Sequence, residues 1–508
     1  MRTSNEAMTS NNFPVIVGAA QLTNHPKAID QTIEPLEMME RVAREAENDA
    51  GGLGLLEKLD SVQVVNFMSW SYADAPGMLA ARLGATPAHT VYSSIGGETP
   101  QRLVNETAQA IVEGRIRIAL LAGAEALESR RLSRKLGMQL SWSQRETPGR
   151  TDGDNRPGFN EVEARHGATM PTRVYPLFEN AIRANLGHSI EAHQVGLGEL
   201  CSRFAAVAAG NPYAWFPVLH SPEEIASVRA DNRMVGFPYP KLMNAIIETD
   251  QAATLIMTGF QTARELGIPE DRCVYLRGCG DATDKWFVSE RVDYHSSPAI
   301  RAATQRALAM AGIGVDDVAR FDLYSCFPSA VQMGLEALGL RPDDPRPLTV
   351  TGGLPYAGGP GNNYVMHSIA TMVRHLREAP REYGLVTGLG WFATKHSAGV
   401  YSAGPPDDEW KRTPPAVDQR EVDAMESPPF AEQAEGEARV ETYTVIFNRE
   451  GEPEQGIVIG NLGAGSHARF FANTPPERDL MLAMTREEFV GTRGRVASDD
   501  GRNLFKPS

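Results

Sequence analysis

The same strand–helix grammar is written twice in this chain, and that repetition limits what it can fold into more than any other feature. Phe13 to Ala20 reads as a buried strand ending in small residues, Pro35 to Ala50 has helical periodicity, and Asp60 to Asn66 reads as a strand. A turn-like Ser93 to Pro100 follows, with Thr99 as the expected N-cap and Pro100 at the first position of a helix running to about Glu113. Ile116 to Ala122 is then another buried strand. Later come a helix from Pro298, a strand and its exit over Arg320 to Cys326, a glycine-rich turn from Gly358, a helix over Tyr364 to Arg377 capped by Asn362 or Asn363, and a strand over Tyr383 to Thr387. Asp60 and Asp322 stand in equivalent places 262 residues apart (322 − 60), and the strands at Ile116 and Tyr383 begin 267 apart (383 − 116). A near-constant offset points to a duplicated half, and alternating strands and helices to an α/β architecture.

Two regions break the pattern. Residues 128–240 are polar and partly helical (Tyr175 to Leu186, Glu191 to Ala209), as expected of an inserted loop domain. After Ser402 comes an acidic stretch with Pro405-Pro406, Pro414-Pro415 and Pro428-Pro429, a composition that buries little apolar surface and reads as a linker. Beyond Ala438 the pattern becomes strand–turn–strand (Val440 to Phe447, Ile457 to Gly460, His467 to Ala472), a small β module. The expected division is therefore 13–127 with 241–268, 128–240, 269–402, 403–437 and 438–508.

Composition excludes several function classes. Lys+Arg 49 against Asp+Glu 64 gives a net charge of −15, which argues against a nucleic-acid partner. Four cysteines, Cys201, Cys273, Cys279 and Cys326, make neither a disulfide scaffold nor a zinc site, so no metal is expected. The first twelve residues lack the apolar core of a signal peptide, and apolar runs fall far short of the roughly 20 residues that span a bilayer. A cytoplasmic protein with no membrane partner is expected.

The ordered set Gly96-Gly-Glu-Thr-Pro-Gln, Leu121-Ala-Gly-Ala-Glu-Ala, Asp250-Gln-Ala-Ala-Thr, Asp322-Leu-Tyr-Ser-Cys-Phe, Gly358-Gly-Pro-Gly and Gly388-Leu-Gly-Trp-Phe-Ala-Thr-Lys-His resembles the thiolase superfamily over about residues 13–402. It is most similar to the sterol-carrier-protein-type branch and its thiolase-like protein type 1 group. The resemblance implies two βαβαβαββ halves, a loop domain, two buried helices meeting face to face, and an additional OB-like C-terminal domain. It also implies a CoA thioester as substrate, with no permanently bound cofactor, and a monomer or homodimer.

Thiolase chemistry needs four parts. A nucleophilic cysteine at the amino end of the first buried helix would gain reactivity from the helix dipole. Matching from either side puts that position at Ile95 or Gly97, so no acyl-cysteine forms there. The histidine of a Gly-His-Pro turn is replaced in Gly358-Gly359-Pro360, and His367 and His396 are the conceivable substitutes. The acid/base cysteine of a His-Asp-Cys-Phe motif survives as Cys326 in Tyr324-Ser325-Cys326-Phe327. The histidine of that motif is Tyr324, whose hydroxyl is suited to donate to a developing enolate. Tyrosine at this place also resembles thiolase-fold aldolases acting on 3-hydroxyacyl-CoA. Glu98 is a candidate base at the vacant position, with helix capping as its plainer role. Gly358, Gly359 and Pro360 read as a tight turn at the CoA-thioester pocket. Lys395-His396 and the Arg130, Arg131, Arg134 cluster read as surface or structural. The expected function is C–C bond chemistry next to a thioester with ordinary thiolysis weak or absent. The alternatives are an aldolase or a non-catalytic acyl-CoA-binding protein.

Overall fold

The computed structural model describes residues 12–406, 409–463 and 468–508. Residues 1–11, on which the expectation about a signal peptide bears, and His467, expected to open a strand, lie outside the described residues. The first half runs β1 (Pro14–Thr23), α1 (Pro35–Asp49), β2 (Ser61–Val64), α2 (Ala75–Leu83), β3 (His89–Tyr92), α3 (Thr99–Val112) and β4 (Ile118–Ala126). An insertion follows with α4 (Leu127–Leu136), α5 (Glu161–Arg165), α6 (Pro171–Asn185), α7 (Ile190–Gly210), α8 (Pro222–Ala226) and the hairpin β5 (Met234–Gly236) and β6 (Tyr239–Pro240). The chain then returns through β7 (Asp250–Gly259) and α9 (Phe260–Glu265). The second half is β8 (Val274–Thr283), α10 (Pro298–Ala311), β9 (Val318–Asp322), α11 (Pro328–Leu338), α12 (Tyr364–Glu378), β10 (Tyr383–Gly390) and β11 (Lys395–Ser402).

The duplication holds element by element. Helix α12 starts 265 residues after α3 (364 − 99), α10 starts 263 after α1 (298 − 35), and β8 starts 260 after β1 (274 − 14). One pairing is corrected. Strand β9 starts 257 after β2 (318 − 61), so Asp60 just before β2 does not match Asp322, the last residue of β9. Asp60 accepts the backbone N–H groups of Arg117 and Ile118. Asp322 instead anchors a buried network described below.

Physical reasons for the elements are local. Helix α1 buries Leu36, Met39, Val42, Ala43 and Ala46, a stripe at helical spacing. Strands β4 and β7 are buried along their whole length, as expected of strands covered by helices on both faces. Among the described residues the strands form one nine-stranded sheet in the order β3-β2-β4-β7-β1-β8-β11-β10-β9. Its two halves join antiparallel at Val15 opposite Tyr275 and Ile16 opposite Val274. Helices α3 and α12 pack on one another across this seam. Helix α3 opens at Thr99, not after it: Glu98 holds the N-cap position and its side chain makes no capping hydrogen bond.

The C-terminal extension comprises α13 (Ala416–Asp423), β12 (Gly436–Phe447), β13 (Pro453–Leu462), β14 (Arg469–Asn473), α14 (Arg478–Ala483), β15 (Arg493–Asp499) and β16 (Arg502–Pro507). Pairings β12–β13–β14–β16–β15–β12 close a small barrel. The insertion is knit to it: Gly236 of β5 pairs with Ile446 of β12, and the Phe237 N–H donates to the Val445 carbonyl.

The described residues within 403–437 are not the unordered linker expected. The Trp410 indole is buried and donates to the Leu276 carbonyl at 2.8 Å. Arg412 pairs with Asp281 at 2.6 Å, and Arg306 with Asp418 at 2.6 Å. Helix α13 is fixed by Gln419, which accepts from the Thr283 N–H and donates to its carbonyl. One tryptophan and three polar anchors offset a composition that averages to disorder.

Candidate active site

The amino end of α3 faces the β10–β11 hairpin. Of the two positions matched to a nucleophile, Ile95 is 38% exposed, whereas Gly97 is walled in. A Cβ built on Gly97 would lie 2.2 Å from the Tyr324 hydroxyl and 2.5 Å from the Leu389 carbonyl oxygen. Real side-chain carbons do not approach so closely, so glycine is required here. The tyrosine hydroxyl fills the space a cysteine side chain would need.

Glu98 is 2% exposed, and its Oε1 pairs with Lys395 Nζ at 2.9 Å. Lys395, 8% exposed, also donates to the Ile95 carbonyl at 2.5 Å. The carboxylate is admitted by glycines: a Cβ on Gly96 or Gly390 would lie 2.0 Å from Glu98 Oε2, and one on Gly388 2.8 Å from its Cα. That second oxygen has no hydrogen-bond partner among the described residues. Lys395 lies opposite Gly390 in the hairpin, which sets it beside α3. Of the surface and structural readings of Lys395, the surface one is corrected: the residue is buried and paired with Glu98. Its partner is 297 residues away (395 − 98), a separation no local pattern reports.

Tyr324 leaves the end of β9 with its N–H bound to Thr387 Oγ1 at 2.9 Å and its ring edge-on to Tyr364, centroids 5.7 Å apart. Burial, then the neighbouring Cys326 and the Glu98 charge, push its hydroxyl well above the ordinary tyrosine range, so it stays protonated as a donor. Cys326 is buried beside the Tyr175 hydroxyl, and desolvation pushes its thiol up to about 12. At neutral pH about one part in 10⁵ would be thiolate, too little for a resting base. Burial pushes up the other three thiols as well: Cys201 to about 12, Cys273 to about 11 and Cys279 to about 12. Tyr175 donates to the Trp391 carbonyl at 2.9 Å and accepts from the Ala393 N–H at 3.1 Å. It thereby holds a hairpin turn in which Trp391 (φ 56°) and Ala393 (φ 53°) adopt the left-handed conformation that non-glycine residues avoid.

Beneath them Asp322 is fully buried and accepts from Thr349, Thr351, Tyr364 and Ser368 and from the backbone of Val350 and Thr351. This satisfied network fixes the strand exit that carries Tyr324.

The glycine-rich turn is placed elsewhere. The Gly359 N–H donates to the Ile246 carbonyl at 2.7 Å and the Gly361 N–H to the Gly359 carbonyl. A Cβ on Gly358 (φ 101°) would lie 2.2 Å from Gln251 Oε1. Gly358, Gly359 and Pro360 are all buried, with the Gly359 N–H bound inside the protein, so they make no cradle for a phosphate. They do not line the cavity that holds Glu98. His367 donates to or accepts from Gln21, and desolvation lowers its pKa to about 3; His396 is lowered likewise to about 4. Both are neutral interior imidazoles, and neither lines that cavity. Arg131 pairs with Glu128 on the exposed face of α4, in keeping with a solvated cluster.

The cavity beside Glu98 has a volume of about 500 Å³. Its walls include Lys395, Arg102, Arg156 and Trp286, and Gln419 and Asp423 come from the C-terminal extension. Arg156 lies over the Trp286 ring at 4.1 Å. Arg102 Nη1 pairs with Glu106, while its Nη2 is buried without a partner among the described residues. Sequence reasoning did not select Arg102, Arg156 or Trp286, because each joins the site through tertiary packing. Among the described residues, no group of three or more His, Cys, Asp or Glu side chains is placed to hold a metal ion, and no helix is long and apolar enough to cross a membrane.

Comparison with known proteins fits this architecture. Residues 418–501 match the thiolase-like protein type 1 additional C-terminal domain, and residues 280–345 the thiolase C-terminal domain-like family. An acetyl-CoA acetyltransferase of Methanocaldococcus jannaschii is 27% identical over 183 residues, 35% of this chain and 43% of that protein. The chain thus spans less than half the length of this curated relative. Among solved structures, a Syntrophomonas wolfei acetyl-CoA acetyltransferase aligns with TM-score 0.55 and 16% identity over 77% of this chain and 99% of that one. An Ltp2-ChsH2(DUF35) aldolase aligns with TM-score 0.60 and 16% identity over 77% of this chain and 98% of that one. These two likenesses concern the fold. A monomeric SCP2-thiolase like protein type 1 from Mycobacterium smegmatis is 36% identical with TM-score 0.85, covering 98% of this chain and 99% of that one. At that identity and coverage, the chain belongs to the SCP2-thiolase-like protein type 1 family.

Proposed function

We propose that this protein binds a CoA thioester and makes or breaks a C–C bond next to the thioester carbonyl without an acyl-enzyme. The observation that carries this reading is the Tyr324 hydroxyl standing in the space of the absent nucleophile, beside the Glu98 carboxylate at the amino end of α3. In the cleavage direction on a 3-hydroxyacyl thioester, Glu98 takes the proton of the 3-hydroxyl. The C2–C3 bond then breaks, a carbonyl compound leaves, and the electron pair passes to the thioester oxygen. Tyr324 donates to that enolate oxygen, a pre-aimed contact worth a few kcal/mol in the transition state, about 10²–10³ in rate. C2 then takes up a proton. Cys326 serves as the proton donor at that carbon, since its raised pKa keeps it a thiol; the proton that Glu98 took from the hydroxyl then returns to the thiolate, so both groups end the cycle as they began it. CoA enters as part of the substrate, not as a resident cofactor. The protein acts as a monomer in the cytoplasm.

A second reading rests on a specific observation. The void beside the Tyr324 ring is only about 10 Å³, which favours a non-catalytic thioester-binding protein. One experiment separates the two. Under the enzymatic reading, Tyr324→Phe abolishes release of a carbonyl product from 3-hydroxyacyl-CoA while leaving thioester affinity within about threefold. Tight binding with no turnover by the unaltered protein supports the second reading, and absence of thioester binding overturns both.

A further inference from the structure

We propose, resting on the CoA-thioester reading, that the cavity at the amino end of α3 selects an acyl group carrying a hydroxyl near a carbonyl. In this assignment Glu98 accepts from the hydroxyl and Arg102 donates to the carbonyl. Two independent features carry it. First, two residues that line the cavity each carry a buried polar atom with no partner among the described residues, Glu98 Oε2 and Arg102 Nη2, one an acceptor and the other a donor. An unmatched buried polar group is costly, and a ligand group that completes it recovers that cost. The Gly96 and Gly390 contacts described above keep protein side chains away from Oε2.

Second, the lining of the cavity carries no net positive charge. Four cations, Arg102, Arg156, Lys285 and Lys395, stand among five carboxylates, Glu98, Asp154, Asp284, Glu290 and Asp423, and Lys395 is paired with Glu98 and Arg156 with Asp154 at 2.8 Å. Such a lining does not favour a phosphate or a free carboxylate. A neutral group that both donates and accepts is the complement. A saturated acyl chain offers no donor, and a 3-oxoacyl chain offers acceptors only. A 3-hydroxyacyl thioester offers both.

The test compares 3-hydroxybutyryl-CoA with butyryl-CoA on the full chain by calorimetry, with Trp286 fluorescence as a second readout since that ring lines the cavity. A hydrogen bond to a charged group predicts a preference for the hydroxy compound of about ten- to a hundredfold. Glu98→Gln should reduce that preference to about threefold or less, while Arg102→Met, which removes the donor to the carbonyl that both thioesters share, should weaken both by about tenfold; circular dichroism and the thermal midpoint show that the variants fold. Equal affinity for the two thioesters, or a preference untouched by Glu98→Gln, overturns the inference alone. If an amide of the pantetheine arm meets Glu98 instead, Glu98→Gln weakens both thioesters equally, and the inference again fails. If neither thioester binds, the CoA-thioester reading falls and the inference with it.

Discussion

Replacing Gly97 by alanine should be among the most damaging single-methyl changes in this protein. The added Cβ would sit 2.2 Å from the Tyr324 hydroxyl, 2.8 Å from its Cζ and 2.5 Å from the Leu389 carbonyl oxygen. The carbonyl cannot retreat freely, because Leu389 is paired with His396 in the hairpin. Overpacking at well-packed sites costs about 1–3 kcal/mol, and three contacts inside 3 Å put Gly97→Ala near 3 kcal/mol. Tyr324→Phe alone removes a hydroxyl to which, among the described residues, no hydrogen bond is formed, and should cost under about 1 kcal/mol. In combination, the shortest clash vanishes while the Cζ and carbonyl contacts remain. The double variant should therefore be more stable than additivity predicts by about 1 kcal/mol. The assay is a denaturant midpoint series on the parent and the three variants, reading the same transition in each. A Gly97→Ala protein as stable as its parent, or a double variant that is simply additive, would refute the claim that Tyr324 fills the nucleophile's place.

Other outcomes follow from the same packing. Lys395→Met leaves the buried Glu98 charge without its partner and should destabilise by about 3–5 kcal/mol, measured by thermal shift; a neutral result would show that the pair is not buried as described. Desolvation raises Glu125 to about 7, above its unfolded value near 4.5, so the native state holds the proton more tightly than the unfolded one. Its contribution is fully present below about pH 4.5 and is lost as pH rises through about 7, and Glu125→Gln should flatten the stability profile across that window. Trp410→Ala should cost about 3–5 kcal/mol and speed proteolytic cleavage within 403–437; an unchanged cleavage rate would mean that this stretch is a free tether. Cys326, buried with its thiol near 12, should resist iodoacetamide until the protein unfolds, and rapid labelling of the native protein would contradict its placement.

Much of the fold is legible because it rests on local periodicity. The helix expected over Tyr364 to Arg377 is found at Tyr364–Glu378, and that over Pro35 to Ala50 at Pro35–Asp49, each marked by an apolar stripe. The β-rich tail is legible in the strand–turn–strand pattern beyond Ala438, and the barrel closure and the family match bear it out; the face-to-face helices are implied by the resemblance alone, and they pack as it implies. The order of this stretch is invisible to composition, which averages over Trp410, Arg412 and Asp418, whose partners Leu276, Asp281 and Arg306 lie in the second half. Hairpin β5–β6 escaped notice since its two short strands gain stability only by joining the barrel. At the candidate site, motif matching singles out Tyr324, Cys326 and Glu98 as candidates, yet not their relations. The Glu98–Lys395 pair and the Gly97–Tyr324 contact join residues over two hundred positions apart, where no spacing rule operates.

Intact-protein mass measurement during incubation with acetyl-CoA, and in parallel with a 3-hydroxyacyl-CoA, tests the chemistry most directly. With a glycine at position 97 and a buried thiol at 326, no acyl group should remain on the protein in either tube, and the 3-hydroxy substrate should yield a carbonyl compound and a shorter thioester. A stable acetyl adduct mapped to any cysteine would contradict it.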